Sequence, residues 1–215
     1  MGKTVMSGPQ NITLDGVVQD PDGEEGFEHG GWFKQYGGKD LLEWAEVALD
    51  DALGAEAWLL GRRSYEHFCI RWRDRTGELA NRLNDLPKYV VSSTLVDPEW
   101  SNSKVLSGDV VSEVSKLKHE VDGVIVIPGS HQLGRTLMEH DLVDELRLVV
   151  FPVVLGAGER FFGINRDKKP MRLVGTKTIG DSLAFLTYQM VRDVRSDLER
   201  GSGLCPGDAV PGGEA

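Results

Sequence analysis

Cysteine is almost missing from this 215-residue chain: only Cys69 and Cys205 occur, with no CxxC pair. Two are too few for a disulfide framework, and Cys69, between Phe68 and Ile70, reads as a small buried hydrophobe. Long apolar runs are also missing. Nothing approaches the ~18 residues of a membrane span, and MGKTVMSGPQ lacks the apolar core of a signal peptide. A cytoplasmic setting without membrane contact is the expectation. An excess of positive charge is lacking too: the formal net charge is −10, which argues against a nucleic-acid partner. His29, His67, His119, His131 and His140 show neither HxxxH nor HExxH spacing, so no metal site is expected. GxSxG, the Walker lysine motif and a GxGxxG after the first strand are all absent.

What is present is an alternation of short apolar runs and helical periods. A hydrophobic share of 40% and a charged share of 27% suit one globular domain, expected over 1–195. A glycine- and proline-rich tail from 196 to 215 is expected to be disordered. Val5 to Leu14 reads as a first strand, with Gly8-Pro9 marking an edge or a bulge. A glycine-rich loop from Asp15 to Gly38 follows. Leu41, Trp44, Ala45, Ala48, Leu49 and Ala52 share a helical face. Ala57–Leu60 is a buried strand, with a helix opening just after Gly61. Glu78–Leu86 is a short helix, Tyr89–Val91 a strand, and Asp109 the cap of a helix striped by Val110, Val114, Leu117 and Val121. Val124–Ile127 is a continuous apolar strand, and Leu133, Leu137 and Met138 line the next helix. Beyond it, Glu145–Phe151 and 171–192 read as strands, with a hairpin turn at 178–182. The pattern predicts an α/β fold: a mixed, mostly parallel sheet covered on both faces, ending in an antiparallel hairpin.

Three strand ends replace the apolar run with small or polar residues: Gly61-Arg62-Arg63-Ser64, Ser92-Ser93-Thr94 and Gly129-Ser130-His131-Gln132. Ligands of open α/β sheets bind outside the carboxyl ends of strands. Arg62 and Arg63 open a helix, where cations are poorly placed unless an anion offsets them. They point to a bound phosphate, or else to two solvated side chains. The turn at Gly129 and Ser130 also opens a helix, so its backbone N–H groups suit a pyrophosphate. Asp15, after the first strand, is the candidate for orienting substrate or placing a proton; a plain turn aspartate is the alternative. His29 and Trp32 are candidates to cover a flat ring.

These motifs, in order, resemble the dihydrofolate-reductase-like superfamily, and most of all the reductase (C-terminal) domain of the bacterial bifunctional riboflavin-biosynthesis deaminase-reductase. The resemblance is carried by Thr13–Gly16, Leu60–Tyr65, Lys88–Thr94, Pro128–Ser130 with Leu133, and His140–Leu146 running into Phe151–Gly158. It implies a three-layer α-β-α domain, NADPH as cofactor, hydride transfer to a small heterocyclic or carbonyl substrate, and a homodimer. It also implies that Gly61, Arg62, Arg63, Ser64, Ser92 and Ser93 hold the adenosine 2′-phosphate. Gly129, Ser130, His131, Gln132 and Leu133 would take the pyrophosphate, and Asp15, Gly16, Val17 and Gln19 would lie near nicotinamide and substrate. Relatives often carry arginine where Ser93 stands, so any preference for NADPH rests on Arg62 and Arg63. The acid that relatives carry on the helix after the first loop has Asp40 and Glu43 as candidates. The alternative reading is a nucleotide-binding module of the same fold without turnover.

Overall fold

The structure, a computed structural model, describes residues 1–163 and 168–192. The domain end expected at 195 and the tail expected from 196 lie outside them. Eight strands form one sheet: β1 (Lys3–Thr13), β2 (Ala57–Gly61), β3 (Lys88–Val91), β4 (Ser103–Leu106), β5 (Val124–Ile127), β6 (Glu145–Phe151), β7 (Met171–Ile179) and β8 (Leu183–Met190). Their order is β4-β3-β2-β5-β1-β6-β8-β7. Pairings among β1 to β6 are parallel, and β6–β8 and β7–β8 are antiparallel. The mixed sheet and its C-terminal hairpin are as the sequence pattern predicts. β4 is an element that the pattern does not reveal: four residues, SKVL, with only Leu106 fully buried. Its partner β3 recruits it in parallel register.

Helices cover both faces. On one face α5 (Val110–Glu120) and α6 (His131–Glu139) bury Val114, Leu117, Leu133 and Leu137 against Met6, Ile12, Leu59, Ile125 and Ile127. Asp109 caps α5, accepting the Ser112 N–H at 2.9 Å, as expected of its position. On the other face lie α1 (Trp32–Gly37), α2 (Leu41–Leu53), α3 (Arg62–Trp72) and α4 (Glu78–Asp85). Ala52, Tyr65, Cys69 and Leu83 pack there on Trp58, Leu60 and Val90, and Trp32 and Val47 pack on Val149 and Phe151. α1 interrupts what the sequence suggests is one long loop. Of the face expected for α2, Ala52, Leu41 and Trp44 pack into the core and Ala45 is exposed, while Val47 and Asp51 are buried as well, Asp51 turning inward to Arg147 and Ser7.

β1 is central, between β5 and β6, so Gly8-Pro9 marks a bulge and not an edge. The register against β6 shifts between Met6 and Gln10. The chain leaves β1 by α1 and α2 on one face, and leaves β5 by α6 on the other. The carboxyl ends of β1 and β5 therefore flank a topological switch point, the place where such sheets bind ligands.

Candidate functional site

Beside that crevice, two strand-to-helix turns touch. The Gly61 N–H ending β2 donates to Ser130 Oγ at 3.0 Å, and that hydroxyl donates to the Pro128 carbonyl at 3.1 Å. Gly129 adopts a φ of 63°, a conformation natural to glycine. A Cβ there would lie 3.4 Å from the Phe68 ring and 3.7 Å from Ser64 Oγ, so this turn lies against the first turns of α3. Leu133 reaches the same point from α6, 3.9 Å from the position of a Gly61 Cβ. α3 and α6 thus start side by side, and neither start is closed by a side-chain cap. Two partially positive helix ends converge there. Ser130 itself is buried, its hydroxyl braces the two turns, and its N–H and that of His131 are given to the Pro128 and Gly129 carbonyls at 2.6 Å each.

The two arginines diverge. Arg62 donates to Thr94 Oγ1 at 2.7 Å, which ties α3 to the loop after β3, and its Nε lies 3.2 Å from Glu66. Arg63 turns the opposite way, 3.9 Å from Glu25 in the loop after β1, with its side chain 84% exposed. Ser92 Oγ accepts the N–H groups of Thr94 at 3.2 Å and Leu95 at 2.9 Å, and Ser93 is exposed. Gln132 is exposed too. His131 is half-buried, edge-on to Phe161 at 5.7 Å. Burial pushes its imidazole down to about 4 against the opposing pull of Glu159, with Arg135 reinforcing the drop. It is neutral at pH 7 and donates no charge to the site.

The cluster after β1 has a different construction from the expected one. Asp15 Oδ1 accepts Thr13 Oγ1–H at 2.6 Å and the Leu155 N–H at 3.2 Å; Oδ2 accepts the Gly156 N–H at 2.9 Å. Arg160 adds an ion pair at 3.5 Å. Partial burial pushes this carboxyl up, but the bonds from Thr13, Gly156 and Leu155 win and hold it at about 2. A group ionised so firmly delivers no proton at neutral pH, so Asp15 acts as a clamp on the segment after β6 rather than as an acid. Gly16 accepts the Phe161 N–H at 2.8 Å, buried Val17 bridges Arg160, and Gln19 Oε1 accepts the Glu159 N–H at 2.9 Å. The loops after β1 and β6 are thereby stitched into one wall. Trp32 is no pocket cover: it is fully buried, edge-on to Phe151 at 5.3 Å, with its Nε1–H given to the Gln19 carbonyl at 2.9 Å. His29 is exposed, set edge-on to Phe27 at 5.5 Å. Asp40 and Glu43 also serve structure, accepting the N–H groups of Ser182 at 3.0 Å and Gly180 at 2.9 Å in the β7–β8 turn.

Asp15→Ala should therefore loosen the wall without unfolding the sheet. The expected result is faster hydrogen exchange at Leu155 and Gly156, with β1 to β6 still protected. Because the folded carboxyl is depressed, the same protection in the wild type is present above about pH 4 and fades as pH falls toward 2. Unchanged exchange at those two amides would show that Asp15 does not clamp the segment.

Sequence reasoning missed Asp20. Its buried carboxylate accepts the N–H groups of Glu24 at 2.7 Å, Glu25 at 3.0 Å and Phe27 at 3.0 Å. The available signal was Asp20-Pro21-Asp22-Gly23, a turn sequence that announces a structured loop. Among the described residues, no group of three or more His, Cys, Asp or Glu is placed to hold a metal ion, and no helix is long and apolar enough to cross a membrane.

Known proteins share this architecture. The chain is 27% identical over 192 residues to the uncharacterized protein YyaP of Bacillus subtilis (strain 168), covering 82% of this chain and 90% of that one. A putative riboflavin biosynthesis protein from Shewanella sp. PV-4 superposes with a TM-score of 0.69 at 20% identity, covering 89% of this chain and all of the other. Dihydrofolate reductase from Enterococcus faecalis, complexed with NADP(H), superposes at 0.54 with 16% identity, covering 90% and 97%. Those likenesses identify the fold as dihydrofolate-reductase-like. Residues 10–185 match the family model of the RibD C-terminal domain, and with most of the chain so covered, this protein belongs to that family.

Proposed function

We propose that the protein is an NADPH-dependent reductase acting on a small heterocyclic or carbonyl substrate. The observation that carries this reading is the convergence of the uncapped starts of α3 and α6 at two touching glycine turns beside the β1/β5 crevice. The residues present suit a dinucleotide. A Cβ on Gly61 would meet nothing nearer than 3.9 Å, so backbone can approach a pyrophosphate there. Arg62 and Arg63 supply cations for a 2′-phosphate, with Ser64 and Ser92 as hydroxyl partners. The family match and the NADP(H) bound by the Enterococcus reductase add support.

When bound, NADPH supplies the hydride. The chain's part is placement. The wall made by Asp15–Gln19 and 153–161 fixes one side of the crevice, and the Gly129 turn fixes the other. Neutral His131 offers a hydrogen bond without charge, and clamped Asp15 holds its segment still. Neither gives up a proton at pH 7. The enzyme's contribution is orientation and exclusion of water.

Titration with NADPH and, separately, NADH, followed by quenching of the tryptophans, tests this. NADPH should bind more tightly. Arg62→Ala combined with Arg63→Ala should weaken NADPH by about tenfold or more, the scale of lost charge-assisted hydrogen bonds, and leave NADH nearly unchanged. Binding of neither dinucleotide would end the reductase reading. Saturable NADPH binding without oxidation across carbonyl, pterin and flavin substrates would favour a binding module of the same fold.

A further inference from the structure

Two arginines at the start of a helix need an anion, and this protein supplies its own. Arg63, His67 and Arg71 recur every fourth residue and share one stripe of α3. The turn Asp22–Glu25 lies along that stripe. Arg71 Nη1 is 2.9 Å from Asp22 Oδ2, and its Nη2 is 2.6 Å from Glu24 Oε2. His67 Nε2 lies 3.7 Å from Asp22, and Arg63 lies 3.9 Å from Glu25. The turn does not depend on α3 for its shape. Asp20 holds it from within through the three N–H bonds described above, while its own carbonyl accepts the N–H groups of Gly23 at 3.2 Å and Gly31 at 3.0 Å. A Cβ on Gly30 would run into the Asp20 carboxylate, which shows how closely the loop is folded round that side chain. Three carboxylates are thus presented, ready-formed, to the basic stripe.

We infer that this acidic turn is an ionic latch that sets the anion specificity of the site, with Glu25 and a ligand phosphate competing for Arg63. The inference rests on the proposed nucleotide reading. The grading of the contacts says which end gives way. Two turns down the helix, Arg71 is gripped by two carboxylates and is largely shielded. At the helix start, where a phosphate would arrive, the Arg63–Glu25 contact is long and both side chains are mostly exposed (84% and 54%). An exposed pair of that kind is weak, and a dianionic phosphate outcompetes a single carboxylate, held by one long contact, for a guanidinium by its greater charge. Arg62 has its own carboxylate in Glu66, so the anion site starts electrically offset. Preference for a phosphorylated ligand is then muted by the protein's own acids, Glu25 foremost.

The test uses the full chain, wild type and three variants (Glu25→Gln, Arg63→Ala and both), with adenosine 2′,5′-bisphosphate, NADPH and inorganic phosphate as probes in calorimetry. Glu25→Gln should tighten the bisphosphate and NADPH by about two- to fivefold, the scale of one exposed ion pair. The gain should vanish when Arg63 is already alanine. The Arg63 side-chain Nε signal in NMR should shift on Glu25→Gln with no ligand present. If the gain persists in the Arg63→Ala background, the effect is general charge and the latch is wrong. If the bisphosphate and NADPH bind equally well with and without Glu25, the latch is also wrong, and the nucleotide reading stands. If no variant binds NADPH, the nucleotide reading fails. Inorganic phosphate then decides the latch, which survives only if Glu25→Gln raises its affinity.

Discussion

Asp144→Ala is expected to cost the folded state about 3–5 kcal/mol, the penalty for stranding a buried partner charge. Asp144 sits at the amino end of β6, where Lys118 Nζ meets its Oδ2 at 2.5 Å, and Thr4 donates to the same oxygen from N at 2.8 Å and from Oγ1 at 2.9 Å. Arg192 pairs with the other oxygen. Lys118 is only 4% exposed, so without Asp144 its ammonium keeps just Thr4 Oγ1 at 3.0 Å and the Leu142 carbonyl at 3.3 Å. For a domain with a typical stability of about 5–15 kcal/mol, such a loss moves the urea midpoint far. Burial pushes the Asp144 carboxyl up, but Lys118 and Thr4 more than reverse it, leaving it below its ordinary 3.8. A depressed carboxyl stabilises the fold fully above about pH 4, and that contribution is lost as pH falls through the folded value. Asp144→Ala should lack that acid-side loss. Asp144→Leu combined with Lys118→Met should recover much of the stability, since no buried charge is left unpaired and Arg192, which also loses its partner, is half exposed. A single variant within 1 kcal/mol of wild type in urea unfolding would show that water reaches Lys118 and that the network is not needed.

This network also marks the limit of what the sequence makes legible. Of the strands visible in advance, Ala57–Leu60 and Val124–Ile127 are continuous apolar runs, as is Leu148–Phe151 within β6, because helices cover both faces of the sheet. β4 is invisible: only Leu106 of its four residues is fully buried, and its edge place comes from its parallel pairing with β3. The glycine turns at Gly61 and Gly129 announce themselves by the sudden end of an apolar run, and the structure does bring them together. Polar roles follow another logic. Asp15, Asp20, Asp40 and Asp144 are all spent on backbone N–H groups, three of the four at residues distant in the chain or across a loop, and no local spacing encodes which amide an aspartate will find. Trp32 follows Gly-Gly and looks like a loop aromatic, yet Phe151, 119 positions on, fixes it in the core. Arg62 and Arg63 read as a preformed clamp because they are adjacent, but neighbours on a helix point about 100° apart; these two reach opposite loops, and to share one phosphate Arg63 must leave Glu25.

The second large effect is expected at Gly8, where the bulge of β1 meets the Pro128 turn. Gly8 has a φ of 96°, and a Cβ on it would lie 2.7 Å from Pro128 Cβ and 3.3 Å from Pro128 Cα. Two separate costs meet in Gly8→Ala. A non-glycine residue held in that conformation loses about 1–3 kcal/mol, and overpacking against an unyielding neighbour loses a further 1–3 kcal/mol or so. A long side chain can swing aside, but a proline ring and its own backbone cannot. Relief requires β1 and the end of β5 to part, and that motion carries Pro128 and with it Gly129, the start of α6 and the brace from Ser130 to Gly61. Stability and ligand binding should therefore fall together: about 3 kcal/mol or more in urea unfolding, and weaker NADPH affinity in whatever fraction remains folded. Asp144→Ala, at the opposite end of the strands, should lower stability while leaving affinity in the folded protein untouched. The pair of variants separates damage to the fold from damage to the site. A Gly8→Ala protein that unfolds at the wild-type midpoint would mean that the bulge and the Pro128 turn have slack between them, and the crevice would then lack the rigid floor on which the placement of its two walls depends.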